Sequence, residues 1–165
     1  MKKITILALL FLLLMPFSMK AQEIKGRFAI QNIQTGKNLR PYDANSANGT
    51  KIVLYNHVEW KCMTWEFILI KDNTYQLKNR FTGKTFQPSG KAVNGVNLVQ
   101  QPLIKDTLQY WVFEKQGNNT YYIRLNGTNL YVTPSSKDTN SDVVLKPKKE
   151  NLMQNWKLVE QDPEF

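Results

Sequence analysis

A chain of 165 residues with one cysteine, one histidine and a formal charge of +9 has the length of one domain and enough surface to bury a core unaided. Its single Cys62 excludes an internal disulfide, and His57 alone cannot found a metal site. The lysines are scattered, apart from Lys146-Pro147-Lys148-Lys149, so no basic stripe for nucleic acid is expected.

Lys2 and Lys3 precede an apolar run from Ile4 to Phe17, followed by Ser18-Met19-Lys20-Ala21. A basic start, a short apolar stretch and small residues read as a bacterial secretory signal peptide over residues 1–21. The run is shorter than the ~20 residues a helix needs to span a bilayer, so no membrane span is expected after cleavage. No cysteine follows to accept a lipid anchor. The expectation is a released chain, secreted or periplasmic, starting near Gln22.

From Gly26 to Ile33, the apolar Phe28, Ile30 and Ile33 are interrupted by Arg27, Gln31 and Asn32, and Thr35-Gly36-Lys37 makes a turn. That pattern predicts a strand entering a hairpin. It returns as Tyr75 to Phe81 before Thr82-Gly83-Lys84, and as Tyr121 to Leu125 before Asn126-Gly127-Thr128. An apolar residue stands three positions after each turn glycine, at Leu39, Phe86 and Leu130, and opens a second strand. Polar loops at Asp43 to Gly49, Ser89 to Gly95 and Ser135 to Asp142 lead to third strands at Lys51 to Tyr55, Val96 to Gln100 and Val143 to Lys146. Fourth strands begin at Trp65, Trp111 and Trp156.

These tryptophans lie 46 and 45 residues apart. A fixed period of that length predicts repeats that bury their apolar faces against one another, here over about 26–71, 72–116 and 117–161. Four short strands in each of three copies, with no sustained 3.6-residue apolar period, predict an all-β fold. The three tryptophans are expected in its core, since each ring removes ~150–250 Å² from water.

Three such repeats, carrying Gln109-Tyr110-Trp111 and Gln154-Asn155-Trp156 with Met63-Thr64-Trp65 as the divergent copy, resemble the ricin B-chain-like (Gln-x-Trp) β-trefoil lectins over essentially the whole exported chain. Asn48-Gly49 and Asn94-Gly95 fit the same pattern. The resemblance implies six strands closing a barrel, three hairpins capping one end, pseudo-threefold symmetry and sugar binding without catalysis. It also implies an Asp early in each second strand, an aromatic ending each third strand, and an amide pair entering the fourth. The Asp position reads Arg40, Gln87 and Tyr131, and the aromatic position reads Tyr55, Gln101 and Lys146. No repeat has the full set, so the family's galactose preference does not carry over.

Repeat one is the best candidate sugar site: Tyr55 offers a stacking face, and Asp43, Asn56 and His57 offer polar contacts in the same loop region. The expected partners are glycans or polysaccharide. The alternative is a trefoil used as a protein-interaction module, such as a protease inhibitor or a surface adaptor. Trp60 stands outside the repeat pattern, as a loop residue that is exposed or a lid over the core. No metal-ligand spacing, phosphate loop or nucleophile constellation appears, so neither a cofactor nor catalysis is expected. The triplets at Asn48, Asn118 and Asn126 match the glycosylation pattern but read more simply as turns.

Overall fold

The computed structural model describes residues 22–164, and the expected signal peptide lies outside them. Twelve strands follow one another as β1 (Arg27–Asn32), β2 (Asn38–Pro41), β3 (Ile52–Tyr55), β4 (Thr64–Lys71), β5 (Thr74–Asn79), β6 (Thr85–Pro88), β7 (Leu98–Gln101), β8 (Trp111–Gly117), β9 (Thr120–Leu125), β10 (Leu130–Pro134), β11 (Val143–Pro147) and β12 (Asn155–Glu160). Among the described residues no helix is long and apolar enough to cross a membrane.

Antiparallel pairing joins β1 to β4, β4 to β5, β5 to β8, β8 to β9, β9 to β12 and β12 back to β1. Six strands therefore close a barrel, which leaves no free edge there. The remaining strands form three hairpins, β2–β3, β6–β7 and β10–β11. This is a β-trefoil.

The hairpins hold each other through one backbone exchange used three times. Gly49 N–H donates to the Gln100 carbonyl at 2.8 Å, Gly95 N–H to Leu145 at 2.7 Å, and Asn140 N–H to Leu54 at 2.7 Å. Each donor has positive φ, 80° at Gly49, 85° at Gly95 and 63° at Asn140. That conformation suits glycine and is tolerated by asparagine, which accounts for the Asn-Gly loops in two repeats and a lone asparagine in the third. Gly127 and Asn119 also have positive φ, consistent with turns at those asparagine triplets.

Period-two burial along the barrel strands turns one face of each inward; in β12, Trp156 and Leu158 are buried while Lys157 is exposed. Trp65, Trp111 and Trp156 are each 0% exposed. The indole N–H of Trp65 donates to the Leu39 carbonyl and that of Trp156 to Val132, both at 3.1 Å. Trp111 Nε1 has no partner; Phe86 packs its ring 4.8 Å from Trp111 and 5.2 Å from Trp65. Nearer the other end, Phe28, Phe67, Tyr75, Phe113 and Tyr121 form a chain of aromatic contacts.

The register of repeat three corrects the sequence reading. Val132, not Leu130, takes the place of Leu39 and Phe86: it pairs with Leu145 as Leu39 pairs with Leu54 and Phe86 with Gln100. Thr133, not Tyr131, is then the counterpart of Arg40 and Gln87. Phe28, Tyr75 and Tyr121 each precede their core residue by 11 positions, so barrel geometry sets the register. The Gly127 turn closes two residues early, and the slack is taken up ahead of Val132 in the longer β10.

Candidate functional site in repeat one

The threefold symmetry supplies an internal control, since equivalent positions can be compared within one molecule. A single 3₁₀ turn precedes each tryptophan strand, at Lys61–Met63, Thr107–Gln109 and Leu152–Gln154. In repeat two the buried Gln109 amide accepts from Ile104 N–H at 3.1 Å and Gln76 Nε2 at 2.6 Å, and donates to the Pro102 carbonyl at 2.9 Å and Gln87 Oε1 at 2.8 Å. Gln154 repeats this, accepting from Lys149 N–H at 2.6 Å and donating to Pro147 and to Thr133 Oγ1 at 2.9 Å. The glutamine of the Gln-x-Trp triplet is thus a structural clamp that ties the loop after the third strand to the second strand.

Repeat one breaks that clamp. Met63 stands in the glutamine's place, and Arg40 stands where Gln87 and Thr133 accept the clamp's hydrogen bond. Arg40 is 6% exposed, its Nε reaches no acceptor, and no carboxylate pairs with it among the described residues. Its guanidinium carbon lies 3.5 Å from the centroid of the Tyr55 ring, a cation–π contact. Asn38, two residues earlier and so on the same face of β2, is fully buried; its Oδ1 is unpartnered and its Nδ2 lies 2.8 Å from His57 Nδ1.

A second departure is at the head of the 3₁₀ turn. Asp106 and Asn151 cap their turns by accepting from Leu108 and Met153 N–H. The equivalent residue of repeat one is Trp60, which makes no capping bond. Losing such a cap costs about 0.5–2 kcal/mol. The tryptophan placed there is 41% exposed and stacks on Tyr55 with ring centroids 6.4 Å apart and planes inclined by 26°.

The four expected contact residues therefore separate. Tyr55 and His57 meet, through Asn38, at the open end of the β2–β3 hairpin, where Tyr55 pairs with Asn38. Asn56 is drawn away, accepting from Thr139 Oγ1 of repeat three at 3.1 Å. Asp43 lies past the far end of β2, beyond roughly 10 Å of strand, in a 3₁₀ turn with its own φ at 51°. Sequence reading missed Asn38 and Arg40 as members of the cluster. The usable signal was at offset five before each tryptophan, where Trp60 replaces two capping residues.

Burial raises the Cys62 thiol above its usual range, and the charge and hydrogen bonding of the neighbouring Arg40 side chain pull the other way. The thiol is a buried, neutral neighbour of the site. Among the described residues no group of three or more His, Cys, Asp or Glu side chains could hold a metal ion.

Solved structures share the architecture. The chain is similar to ThreeFoil, a designed 3-fold symmetric protein (TM-score 0.78, 20% identity, covering 82% of this chain and 99% of that one). It is similar to the Rhizoctonia solani agglutinin (TM-score 0.76, 17% identity, 86% and 99% covered). It is similar also to the Macrolepiota procera ricin B-like lectin solved with lactose (TM-score 0.72, 19% identity, 86% and 100% covered). At these identities the likeness establishes the fold. No curated protein matches the sequence. The family described as ricin-type beta-trefoil lectin domain-like matches residues 61–146, more than half of the chain, and the chain belongs to that family.

Proposed function

We infer that this is an exported carbohydrate-binding module without catalytic activity, whose one working site is the Tyr55–Trp60 end of repeat one. The observation that carries the reading is Trp60. At the position where the other repeats place a stabilising cap, repeat one spends that stability on a large exposed ring. A flat aromatic face is what the C–H side of a sugar ring packs against, and neighbouring polar groups orient its hydroxyls. His57 and Asn38 stand beside it.

Repeats two and three have Gln101 and Lys146 at the aromatic position and closed glutamine clamps, so they serve as scaffold. Family membership and the lactose bound by the Macrolepiota procera lectin support a saccharide ligand. Asp43 has no part in this site, and Asn56 braces repeat three.

The test is a glycan-array screen of the purified protein with free competing sugars, repeated with Trp60→Ala and Tyr55→Ala. Competable binding that both variants lose while remaining folded, with melting temperatures within a few degrees of the parent, supports the site. A blank array at high protein concentration favours a protein partner instead, and binding retained by both variants moves the site elsewhere.

A further inference from the structure

Arg40 is one of four arginines in the chain, and the other three are spoken for. Arg27 pairs with Asp162, Arg80 with Glu66 and Arg124 with Glu114. Each of those is more exposed than Arg40. The most buried cation of the four is thus the one without a counter-charge, and burying a charge unpaired is unfavourable. The internal comparison shows how the position differs: in repeats two and three the second strand offers an acceptor, Gln87 Oε1 or Thr133 Oγ1, to the clamp's amide N–H, whereas Arg40 has only donors to offer and Met63 brings a thioether in place of the amide.

We propose that the repeat-one site takes the anionic group, carboxylate or sulfate, of an acidic saccharide, with Arg40 as its counter-charge; the proposal rests on the carbohydrate-binding reading above. A guanidinium has five donors and no acceptor, and its planar fork matches a carboxylate or sulfate with two parallel hydrogen bonds. An aspartate at this position, as the family resemblance implies, would instead accept from vicinal hydroxyls and repel an acid. Replacing it by arginine inverts the charge of the site. The remaining groups suit the rest of such a ligand: Asn38 carries an unpartnered acceptor on the same face, His57 is exposed beside it, and Trp60 offers the ring face. The overall positive charge of the chain favours approach of the same ligands.

The test titrates the full chain, purified after expression with its own N-terminal segment, with trigalacturonate, its methyl ester, a neutral galactose trisaccharide and a sulfated disaccharide. The expected result is at least tenfold tighter binding of an acidic probe than of the ester or neutral probe. Added salt weakens it, and Arg40→Gln, which installs the residue found at position 87, abolishes the preference. The two acidic probes separate a carboxylate from a sulfate as the recognised group. Equal affinity for acid, ester and neutral sugar, or an unchanged preference in Arg40→Gln, overturns the proposal while leaving carbohydrate binding standing. Failure of every saccharide to bind removes both. If Arg40→Gln does not fold, the acid-against-ester comparison on the unaltered protein decides by itself.

Discussion

The guanidinium carbon of Arg40 stands over Tyr55, 3.5 Å from the ring centroid, and this contact is the main compensation the protein gives a cation that is 6% exposed. A cation–π contact contributes about 0.5–2 kcal/mol. Desolvating an ion costs several kcal/mol. The balance favours replacing the charge. Arg40→Met is expected to leave the ligand-free protein as stable as before or more so, and a urea midpoint corresponding to a loss above about 1 kcal/mol contradicts that account.

The tryptophans fill equivalent places but are not equivalently bonded. Truncating any of Trp65, Trp111 or Trp156 to Ala should cost about 3–5 kcal/mol. Changing Trp to Phe separates them. At position 65 or 156 it orphans the carbonyl of Leu39 or Val132, an added cost of about 1 kcal/mol or more, whereas Trp111 Nε1 has no bond to lose. Denaturant melts should therefore rank Trp111→Phe as the mildest of the three.

The Gln109 amide serves four partners in a buried place. Gln109→Leu leaves them without it, and a loss of about 2–4 kcal/mol is expected. Loss of amide-exchange protection should start in the loop from Pro102 to Asp106. A variant of normal stability with that loop still protected would show that the clamp is dispensable.

Gly95 donates to the neighbouring hairpin at a φ of 85° with no atom near where a Cβ would stand. The cost of Gly95→Ala is then conformational alone, about 1–2 kcal/mol. Asn140→Gly, at the equivalent position of repeat three, should change stability by less than about 0.5 kcal/mol. Calorimetry on the two variants checks the asymmetry.

Burial holds the Cys62 thiol above its usual range, so at neutral pH a thiol reagent should modify the native protein far more slowly than the urea-unfolded chain. The linkage has a definite sign. Below the ordinary thiol range both states keep the proton and the contribution is fully present; above it the unfolded chain ionises first, so stability falls as pH rises toward the folded value. Cys62→Ala should flatten that alkaline decline, and an unchanged slope from pH 8 to 10 assigns it to other groups.

Much of this was legible in the residues. The spacing of Trp65, Trp111 and Trp156, with Phe28, Tyr75 and Tyr121 upstream, marks the repeat because each copy must supply the same inward ring to a shared axis. The hairpin register of repeat three was not legible, because turn glycines track local chain reversal while the core position tracks distance from the barrel strand. Val132 and Thr133 follow the second rule and not the first. The site was half legible: Tyr55 and His57 do share a place, but Asp43 is near them only in sequence, since β2 runs between, and the Asn56 side chain is taken by Thr139, which reaches in from another repeat.

By itself the sequence determined the period, the strand count, the inward aromatics and the absence of an acid at Arg40 and Gln87. All are consequences of residue identity and separation along one chain. Only the tertiary structure decided that Arg40 is buried without a counter-ion and that Trp60 lies open over Tyr55. Burial and pairing depend on what other repeats and loops bring to the same point, and the Met63-for-glutamine exchange takes on meaning only once Gln109 and Gln154 are seen closing the clamps that repeat one leaves open.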